Sequence, residues 1–499
     1  MCKDFAVTMG RQLYLKVHLM EEKREKFIRG LDLTSATSIV VGSMIGSGIF
    51  IAPALMAGYI KSPGIIILLW VVGGLFTLLG GLSYGEMAAS MPKAGGQYVF
   101  LREAYSPLLA FLYGWTLFLV IQTGFIAAVG VAFAKYLGVF VPGISEKAVL
   151  FSLSLGPHVF AINTAQVVGI ASIIVLTVIN SYGIKTGALV QNVLTFLKVG
   201  AIVVLIILGF ASSQGSISNL KPFLEPVIPP EVKMGLLAVL AVALSKALFA
   251  YDAWNSVTFV AEEVKDAQRN LPLSLVLGMV ITSILYVLAT AVYFYLVPID
   301  QAAAIPDSRI AAVAAQLIFG APGLYFISAA ILISTFGCNN GLIIGGPRVY
   351  YAMAEDGLFF KGLSHIHPRY HTPVTGLAWQ CAWASMLALS GTYSDLLTYV
   401  TFASVIFNVM TVIGLFILRK TRPDLPRPYK AFGYPLVPAA YVLIGAAFTA
   451  YIVQGDLANS LKGLGIILLG LPVYFLFKRA NMGSSLAGDG ATKINGEAE

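Results

Sequence analysis

The stretch Val40-Val41-Gly42-Ser43-Met44-Ile45-Gly46-Ser47-Gly48-Ile49-Phe50-Ile51-Ala52-Pro53 lies inside an apolar segment that is long enough to cross a bilayer. It nevertheless contains three glycines, two serines and a proline. A helix surrounded by lipid must satisfy its own backbone hydrogen bonds. Gly46-Ser47-Gly48 at mid-depth therefore predicts a local break, which must be buried in protein or line a cavity.

Taken alone, this stretch has two interpretations. If the helix unwinds, the bare backbone amides at the start of its second half attract an anion, such as the carboxylate of a small amphiphilic solute. If the helix stays continuous, its small residues let a neighbouring helix pack closely against it. A second stretch of the same kind elsewhere in the chain would favour the first interpretation.

The composition excludes an ordinary soluble domain. The 499 residues are 58% hydrophobic and 11% charged, with a mean hydropathy of +0.83, whereas soluble domains carry about 25% charged residues. Cys2, Cys338 and Cys381 predict no disulfide framework. The net charge of +8 is concentrated in connecting segments on one side, so it does not indicate nucleic acid binding.

The apolar segments predict an integral membrane protein with twelve spans. They lie at approximately 34–58, 64–91, 106–140, 160–183, 188–211, 235–262, 272–298, 323–354, 373–391, 395–419, 433–453 and 461–479. Most of the 32 Lys and Arg residues fall in the N-terminal segment and the even-numbered connections, which predicts that both termini are cytoplasmic. We expect a cytoplasmic segment over 1–30, one transporter-sized membrane domain over 31–480 and a disordered cytoplasmic tail over 481–499.

The sixth span repeats the peculiarity of the first. Leu244–Ser256 contains Lys246, Asp252 and Asn255 where lipid-compatible side chains are expected. Spans 1 and 6 each begin a group of five, and an odd number of helices makes the second group enter the membrane from the opposite face. Interrupted helices at corresponding positions of two inverted halves point to a solute site at the midplane. The second break therefore favours solute binding over simple packing.

A series of short motifs runs along nearly the whole chain, from about Leu31 to Arg479. Besides Ile45-Gly46-Ser47-Gly48-Ile49-Phe50, they are Tyr84-Gly85-Glu86-Met87-Ala88, Met91-Pro92-Lys93-Ala94-Gly95-Gly96-Gln97-Tyr98, Phe249-Ala250-Tyr251-Asp252-Ala253-Trp254-Asn255, Glu262-Glu263-Val264-Lys265, Arg269-Asn270-Leu271-Pro272, Pro347-Arg348-Val349-Tyr350-Tyr351-Ala352-Met353-Ala354 and Arg427-Pro428-Tyr429-Lys430. Each motif alone is weak. Together and in this order, the sequence resembles the amino acid–polyamine–organocation superfamily, and within it the L-type amino acid transporter branch and its bacterial relatives.

The resemblance implies an all-α polytopic membrane protein with a LeuT-like fold. In this fold, five plus five inverted helices are followed by two more, and helices 1 and 6 of the 12 transmembrane helices are broken. Repeat one would cover 34–211, repeat two 235–419, and the two extra helices 433–479.

The resemblance also implies which residues contact the substrate. They come from both breaks: Met44, Ile45, Gly46, Ser47, Gly48, Phe249, Ala250 and Asp252. The amides of Ser47 and Gly48 would hold a carboxylate, and the carbonyl groups of Met44 and Phe249 would receive an ammonium group. The Phe249 ring is expected to act as a gate over the substrate. The chemistry agrees, because half-helix N-termini suit anions and exposed carbonyl groups suit cations.

Two ionisable residues within the spans have alternative interpretations. Lys198 either snorkels to the cytoplasmic edge, or bridges carbonyl groups of spans 1 and 8 near the place where sodium-coupled relatives hold an ion. The resemblance favours the second alternative and hence sodium-independent transport. Asp252 either accepts hydrogen bonds from the substrate ammonium group or caps freed backbone amides.

Lys246 departs from the family pattern, which has a neutral residue one helical turn outside Phe249. It either snorkels or pairs with an acid, or it faces the vestibule and disfavours cationic substrates. Side-chain selection is expected to use an apolar pocket. Candidates for its lining are Gln122, Ser256, Cys338, Asn339 and Ser404.

We expect a sodium-independent transporter that moves neutral L-amino acids by alternating access, as an exchanger in the plasma membrane. Proton-coupled symport of similar substrates is the alternative, and polyamine transport is disfavoured because a polyamine has no carboxylate. From a different class, a non-transporting amino acid sensor would keep the same site.

Several classes of partner and chemistry are not expected. The sequence shows no enzyme constellation and implies no cofactor, and we interpret His365, His367 and His371 as loop residues rather than metal ligands. Eukaryotic L-type transporters bond to a heavy chain through a cysteine between spans 3 and 4. Residues 141–159 contain no cysteine, so no disulfide-linked heavy chain is expected.

Overall fold

The apolar segments form helices in the computed structural model, which describes residues 26–155, 158–305, 308–390, 393–455 and 457–494. The elements of the first half are α1 (Leu33–Met44), α2 (Gly48–Ala57), α3 (Pro63–Ser90), α4 (Gln97–Ala104), α5 (Pro107–Thr116), a π-helical turn (Leu117–Ile121), α6 (Gln122–Leu137), the antiparallel strands β1 (Val149–Leu155) and β2 (His158–Asn163), α7 (Thr164–Ser181), α8 (Ile184–Ala211) and a 3-10 turn (Ile217–Leu220).

The second half begins with another interrupted helix. Its elements are α9 (Leu236–Tyr251), α10 (Ser256–Phe259), a 3-10 turn (Ala261–Glu263), α11 (Ala267–Leu296), α12 (Ile299–Ala304), α13 (Ile310–Phe319), α14 (Pro322–Glu355), a 3-10 turn (Lys361–Ser364), α15 (Val374–Leu389), α16 (Tyr393–Thr421), α17 (Leu436–Gly455) and α18 (Leu457–Ile494).

Within the described part of the chain, nine helical stretches are long and apolar enough to cross a membrane. The sixth, ninth and eleventh predicted spans correspond to the shorter apolar helices α9, α15 and α17. The protein is therefore a mostly helical, multi-pass membrane protein. The hairpin β1–β2 lies between α6 and α7, in a segment that the sequence includes partly in the fourth span.

The structure describes only part of the two terminal segments that the sequence predicts. Most of the N-terminal segment predicted over 1–30 falls outside the described residues, as do 495–499 at the other end. Helix α18 continues to Ile494, so it covers much of the tail that the sequence predicts to be disordered.

Several helices begin where the sequence carries a starting signal. Pro63, Pro107 and Pro322 each occupy the first turn of a helix, where a missing N–H costs nothing. Asn163 and Gln166 form a capping box at α7, in which each side chain accepts a hydrogen bond from the other residue's amide, at 3.0 and 2.9 Å.

The interrupted helix α1–α2 lies among long helices from both halves of the chain. Helix α1 packs against α8, α11 and α14, and α2 packs against α9. Helices at corresponding positions of the two halves also pack against each other, since α3 contacts α11 and α6 contacts α14. Both breaks are consequently surrounded by protein rather than lipid, as a non-helical backbone at membrane depth requires.

A buried ion pair joins α14 to the turn after α10, and the same turn holds the segment before α1. The Arg348 guanidinium lies 2.8 and 3.0 Å from the two carboxylate oxygens of Glu263, and both side chains are at most 1% exposed. The backbone carbonyl of Glu263 accepts hydrogen bonds from the amides of Gly30 and Leu31, at 2.9 and 3.0 Å. Glu263 thereby connects the segment before α1 with the segment after α10, and Arg348 of α14 holds its carboxylate.

Glu86 anchors a second polar cluster at the end of α3. Its carboxylate accepts hydrogen bonds from Arg419 at 2.9 and 2.5 Å and from the Ala431 amide at 2.7 Å, and Arg427 lies 3.2 Å away. Glu86 is 1% exposed, so these basic groups are what make its burial tolerable.

Candidate functional site

The first helix break covers the residues between α1 and α2. Ile45 ends α1 with extended backbone angles, and its amide still donates to the Val41 carbonyl at 2.9 Å. The next amide, that of Gly46, donates to the Met44 carbonyl at 3.0 Å. For the amides of Ser47 and Gly48, the described residues provide no hydrogen-bond acceptor. These amides lie at the N-terminus of α2, where the helix dipole is positive.

The second break separates α9, which ends at Tyr251, from α10, which begins at Ser256. Ala253 adopts a left-handed backbone angle, φ 65°, which is uncommon for a residue with a side chain. Asp252 stabilises this turn, because its carboxylate accepts hydrogen bonds from the Ala253 amide at 2.8 Å and from the Ser404 hydroxyl at 3.1 Å. The Asp252 side chain therefore caps a freed amide, one of the two roles that the sequence leaves open.

The two breaks touch each other. A Cβ atom placed on Gly48 would lie 2.7 Å from the Cβ of Ala250, so only glycine allows this approach. The Tyr286 hydroxyl of α11 lies 2.8 Å from the Met44 carbonyl oxygen and 3.0 Å from that of Ala250. With a single proton it donates to one of the two at a time, and in both cases it holds the ends of α1 and α9 together.

A small cavity, which we call the break cavity, lies between the two breaks and holds about 20 Å³. It is lined by Ser43, Met44, Gly46, Ser47, Gly48, Phe125, Val129, Phe249, Ala250, Asp252, Ala253, Cys338 and Leu342. The structure thus brings together seven of the eight residues that the sequence assigns to the substrate. The eighth, Ile45, is buried behind the cavity. The Phe249 ring stacks on Phe125, with ring centres 5.2 Å apart, and forms one wall.

A second cavity of about 20 Å³, the side cavity, adjoins the first and shares Phe125, Asp252, Ala253 and Leu342 with it. Its other lining residues are Gln97, Tyr113, Leu117, Ile121, Gln122, Asn255, Ser256, Phe259 and Ser404. Seven of its thirteen lining residues are polar, but the surface that they expose to the cavity is mainly apolar, so the apolar pocket that the sequence predicts stays a prediction. The amides and hydroxyls come from α4, α5, α6, α10 and α16, and only the tertiary structure brings them to one place.

The five candidates for the side-chain pocket divide between several positions. Gln122, Ser256 and Ser404 line the side cavity, and Cys338 lines the break cavity, where its thiol donates to the Ser43 carbonyl at 3.0 Å. Asn339 lines neither cavity; its amide donates to the Ile126 carbonyl at 3.2 Å.

Lys198 is 1% exposed and does not snorkel. Its ammonium group donates three hydrogen bonds to carbonyl oxygens, to Gly42 at 2.9 Å, Ile45 at 2.8 Å and Ser334 at 2.9 Å. An ammonium group has three donors, so all are used. The Ser334 hydroxyl lies 3.0 Å from the Ile45 carbonyl and 3.1 Å from that of Gly46, and it supports the same backbone turn. Carbonyl groups of α1 and α14 are therefore bridged by a positive charge.

Lys246 occupies a different environment. It is partly buried on α9, and it is not among the residues that line the break cavity or the side cavity. Its effect on cationic substrates therefore stays a prediction.

Tyr286 and Ser334 are functional candidates that the sequence reasoning did not single out. Both are fully buried polar residues within apolar helices, and both contact the carbonyl groups of the first break. A polar side chain in an otherwise apolar span is a weak signal, because many such hydroxyls bond their own helix, as Thr335 does to Ile331 at 2.8 Å.

In the part of the chain that the structure describes, no group of three or more His, Cys, Asp or Glu residues is arranged to hold a metal ion. His367 instead orders its own loop, since its Nδ1 accepts hydrogen bonds from the amides of Arg369 and Tyr370 at 3.2 and 3.3 Å. His371 Nδ1 lies 3.1 Å from the carbonyl oxygen of Lys26. These contacts fit the loop interpretation.

Comparison with known proteins supports the resemblance seen in the motifs. The amino acid permease family model matches residues 31–472. The b(0,+)-type amino acid transporter 1 of Mus musculus is 29% identical over 92% of this chain and 90% of its own length. The serine/threonine exchanger SteT of Bacillus subtilis (strain 168) is 29% identical over 90% of this chain and 97% of its own. The large neutral amino acids transporter small subunit 2 of Oryctolagus cuniculus is 30% identical over 89% of this chain and 80% of its own length. Because the family match spans most of its length, this chain belongs to the amino acid permease family, within the amino acid–polyamine–organocation superfamily.

Proposed function

We propose that this protein is a sodium-independent transporter that exchanges neutral L-amino acids by alternating access. One observation carries the proposal: the break cavity is lined both by residues with bare backbone amides and by residues whose carbonyl groups lie at the two breaks. A zwitterion requires both kinds of group a few ångströms apart. Family membership and the names of the relatives support amino acid transport and argue against an enzyme.

The carboxylate binds at the N-terminus of α2 in this proposal. The Ser47 and Gly48 amides have no acceptor among the described residues, and the positive end of the α2 dipole lies at the same place. Gly46 contributes by letting the chain turn without a side chain in the carboxylate's place.

The ammonium group binds at the opposite wall. The Ala250 carbonyl has a second lone pair beside the one that faces Tyr286, and the Phe249 carbonyl accepts only a long bond, 3.3 Å, from the Asp252 amide. The Met44 carbonyl already receives the Gly46 amide at 3.0 Å and faces Tyr286, so an ammonium group there would have to replace one of these donors. The Asp252 carboxylate, which lines both cavities, adds a negative charge to this wall. This wall therefore favours the positively charged ammonium group, whereas the N-terminus of α2 favours the negatively charged carboxylate.

Phe249 serves as the gate. The break cavity holds about 20 Å³, the space of roughly one water molecule, so an amino acid enters only if a wall moves. The stacked rings of Phe249 and Phe125 form the wall whose movement breaks no hydrogen bond. Opening on one side and then on the other is what alternating access requires.

Lys198 supports sodium independence. Its charge already satisfies the carbonyl groups of Gly42, Ile45 and Ser334, which would otherwise suit a small cation. Proton-coupled symport is the second candidate, and the observation that favours it is the Asp252 carboxylate at the wall of both cavities, where it could carry a proton.

The remaining expectations belong to the same proposal. Two inverted repeats, 34–211 and 235–419, followed by two helices within 433–479, are supported by the pairing of α3 with α11 and of α6 with α14. The distribution of Lys and Arg supports cytoplasmic termini. The plasma membrane is the location in this proposal. The cysteine-free segment 141–159 supports transport without a disulfide-linked heavy chain.

Counterflow in proteoliposomes tests the proposal. Vesicles loaded with unlabelled neutral amino acids should take up labelled substrate, at the same rate in sodium and in choline, and vesicles loaded with buffer alone should take up far less. Uptake into unloaded vesicles that follows a pH gradient would establish the symporter instead. Binding without any counterflow would establish the sensor, and strict dependence on sodium would exclude the role of Lys198. Protein-free vesicles are the control.

A further inference from the structure

The Tyr113 hydroxyl is the unusual group of the side cavity. Tyr113 belongs to α5, lines the cavity and is 2% exposed. Within the described part of the chain its hydroxyl has no hydrogen-bond partner. A hydroxyl buried without a partner is unfavourable, so a ligand that supplies the partner binds more tightly for that reason.

The neighbouring amides are committed to the protein itself. The Asn255 amide donates to Gln97 at 2.7 Å, and the Gln97 amide donates to Asn408 and Thr411 at 3.2 and 3.0 Å. The Gln122 amide donates to the Leu342 carbonyl at 2.6 Å. Both donors of Gln97 and the Asn255 amide are therefore engaged, and Gln122 uses at least one of its two donors. Among the hydroxyls of residues that line the side cavity, that of Tyr113 is fully buried and has no partner in the described residues.

The size and position of the side cavity define what the ligand can be. The cavity shares Asp252 and Ala253 with the break cavity, so a substrate whose amino and carboxylate groups bind between the breaks points its side chain here. The side cavity holds about 20 Å³, so the smaller the side-chain group is, the less the walls have to move to admit it. Leu117, Ile121 and Phe259 form apolar walls around it.

We infer that Tyr113 determines side-chain specificity, and that the preferred substrates are small amino acids that carry a side-chain hydroxyl. The hydroxyl of the substrate pairs with that of Tyr113, and the apolar walls contact the adjoining carbon atoms. This inference rests on the proposed function and narrows its substrate class. A long cationic side chain exceeds the space, and a purely apolar one leaves the tyrosine unpaired.

Threonine and valine provide the test, because they have nearly the same shape and differ in one hydroxyl. In reconstituted vesicles we expect kcat/KM for threonine to exceed that for valine at least tenfold, since a site built for a hydroxyl rejects the analogue that lacks it. Tyr113→Phe should reduce this ratio about five- to tenfold, mainly by lowering kcat/KM for threonine.

Tyr293→Phe is the matched control. The Tyr293 hydroxyl is also buried without a partner in the described residues, but Tyr293 lines neither cavity. Its replacement should leave the threonine-to-valine ratio unchanged. A second measurement does not depend on transport. The shift in the midpoint of thermal unfolding that threonine and valine each produce is compared between purified wild type and Tyr113→Phe.

The outcomes separate this inference from the proposed function. If the vesicles exchange amino acids but valine equals threonine, or Tyr113→Phe keeps the ratio, the specificity role is wrong while transport stands. If no amino acid is exchanged, the transport proposal is wrong, but the unfolding midpoints still test the role of Tyr113. A midpoint shift that is specific to threonine and is lost in Tyr113→Phe supports that role. Equal shifts with threonine and valine overturn it.

Discussion

Gly48 and Ala250 lie in direct contact, at the point where the two broken helices meet. The backbone of Gly48 approaches Ala250 so closely that a Cβ on the glycine would be 2.7 Å from the Cβ and 3.1 Å from the Cα of the alanine. The bare amides of α2 are thereby held beside the carbonyl end of α9, which is the arrangement that the proposed zwitterion site needs.

Gly48→Ala should reduce exchange at least tenfold, because the added methyl group forces the two breaks apart by several tenths of an ångström. Counterflow rates on purified, reconstituted protein measure the effect. Gly200→Ala is the control, since a Cβ there meets nothing within 4 Å. The double variant Gly48→Ala/Ala250→Gly should recover much of the activity, and a failure to recover would show that the contact is not the cause.

Lys198→Met should abolish exchange and destabilise the protein by about 2–4 kcal/mol. It removes three charge-assisted hydrogen bonds and leaves the Gly42, Ile45 and Ser334 carbonyl groups buried without a donor. The midpoint of thermal unfolding in detergent and counterflow measure the two effects. Lys420→Met replaces an exposed lysine of α16 and should change neither. A fully active Lys198→Met variant would contradict the role of the ammonium group.

Tyr286→Phe should raise the KM for exchange about five- to tenfold while costing only about 1 kcal/mol of stability. The hydroxyl that joins the Met44 and Ala250 carbonyl groups is lost, and the ring keeps its packing against Trp70. Concentration-dependent counterflow gives the KM. Tyr293→Phe, on the same helix α11, is the control. An unchanged KM would mean that the two carbonyl groups keep their positions without the tyrosine.

Glu263→Gln should destabilise the protein by about 3–5 kcal/mol, because the buried Arg348 guanidinium loses its anion. Thermal unfolding in detergent measures this. The double variant Glu263→Gln/Arg348→Met should cost less than the sum of the single variants, since no unpaired charge is left buried. Asp300→Asn removes an exposed pair with Lys61 and should cost less than about 1 kcal/mol. Additive effects at Glu263 and Arg348 would contradict the coupling.

Both breaks could be predicted from the sequence, because the causes are local. Gly46-Ser47-Gly48 weakens a helix by itself, and Lys246, Asp252 and Asn255 are incompatible with lipid wherever they lie. Their exact extent is less predictable: the sequence indicates a break within the span 235–262 without giving its bounds, whereas the structure ends α9 at Tyr251 and resumes the helix at Ser256. The non-glycine residue Ala253 takes the left-handed angle there, which no local preference indicates.

The sequence by itself thus determined the class of the molecule: apolar segments of membrane length, two interrupted spans, and a lysine that must find partners. Only the tertiary structure decided which groups meet. Tyr286 bridges Met44 and Ala250, and Lys198 lies between α1 and α14, through contacts between residues distant in the chain. The residues that line the side cavity likewise come from distant segments. Hydropathy and backbone preference act over a few neighbouring residues, whereas these contacts depend on how whole helices pack against one another.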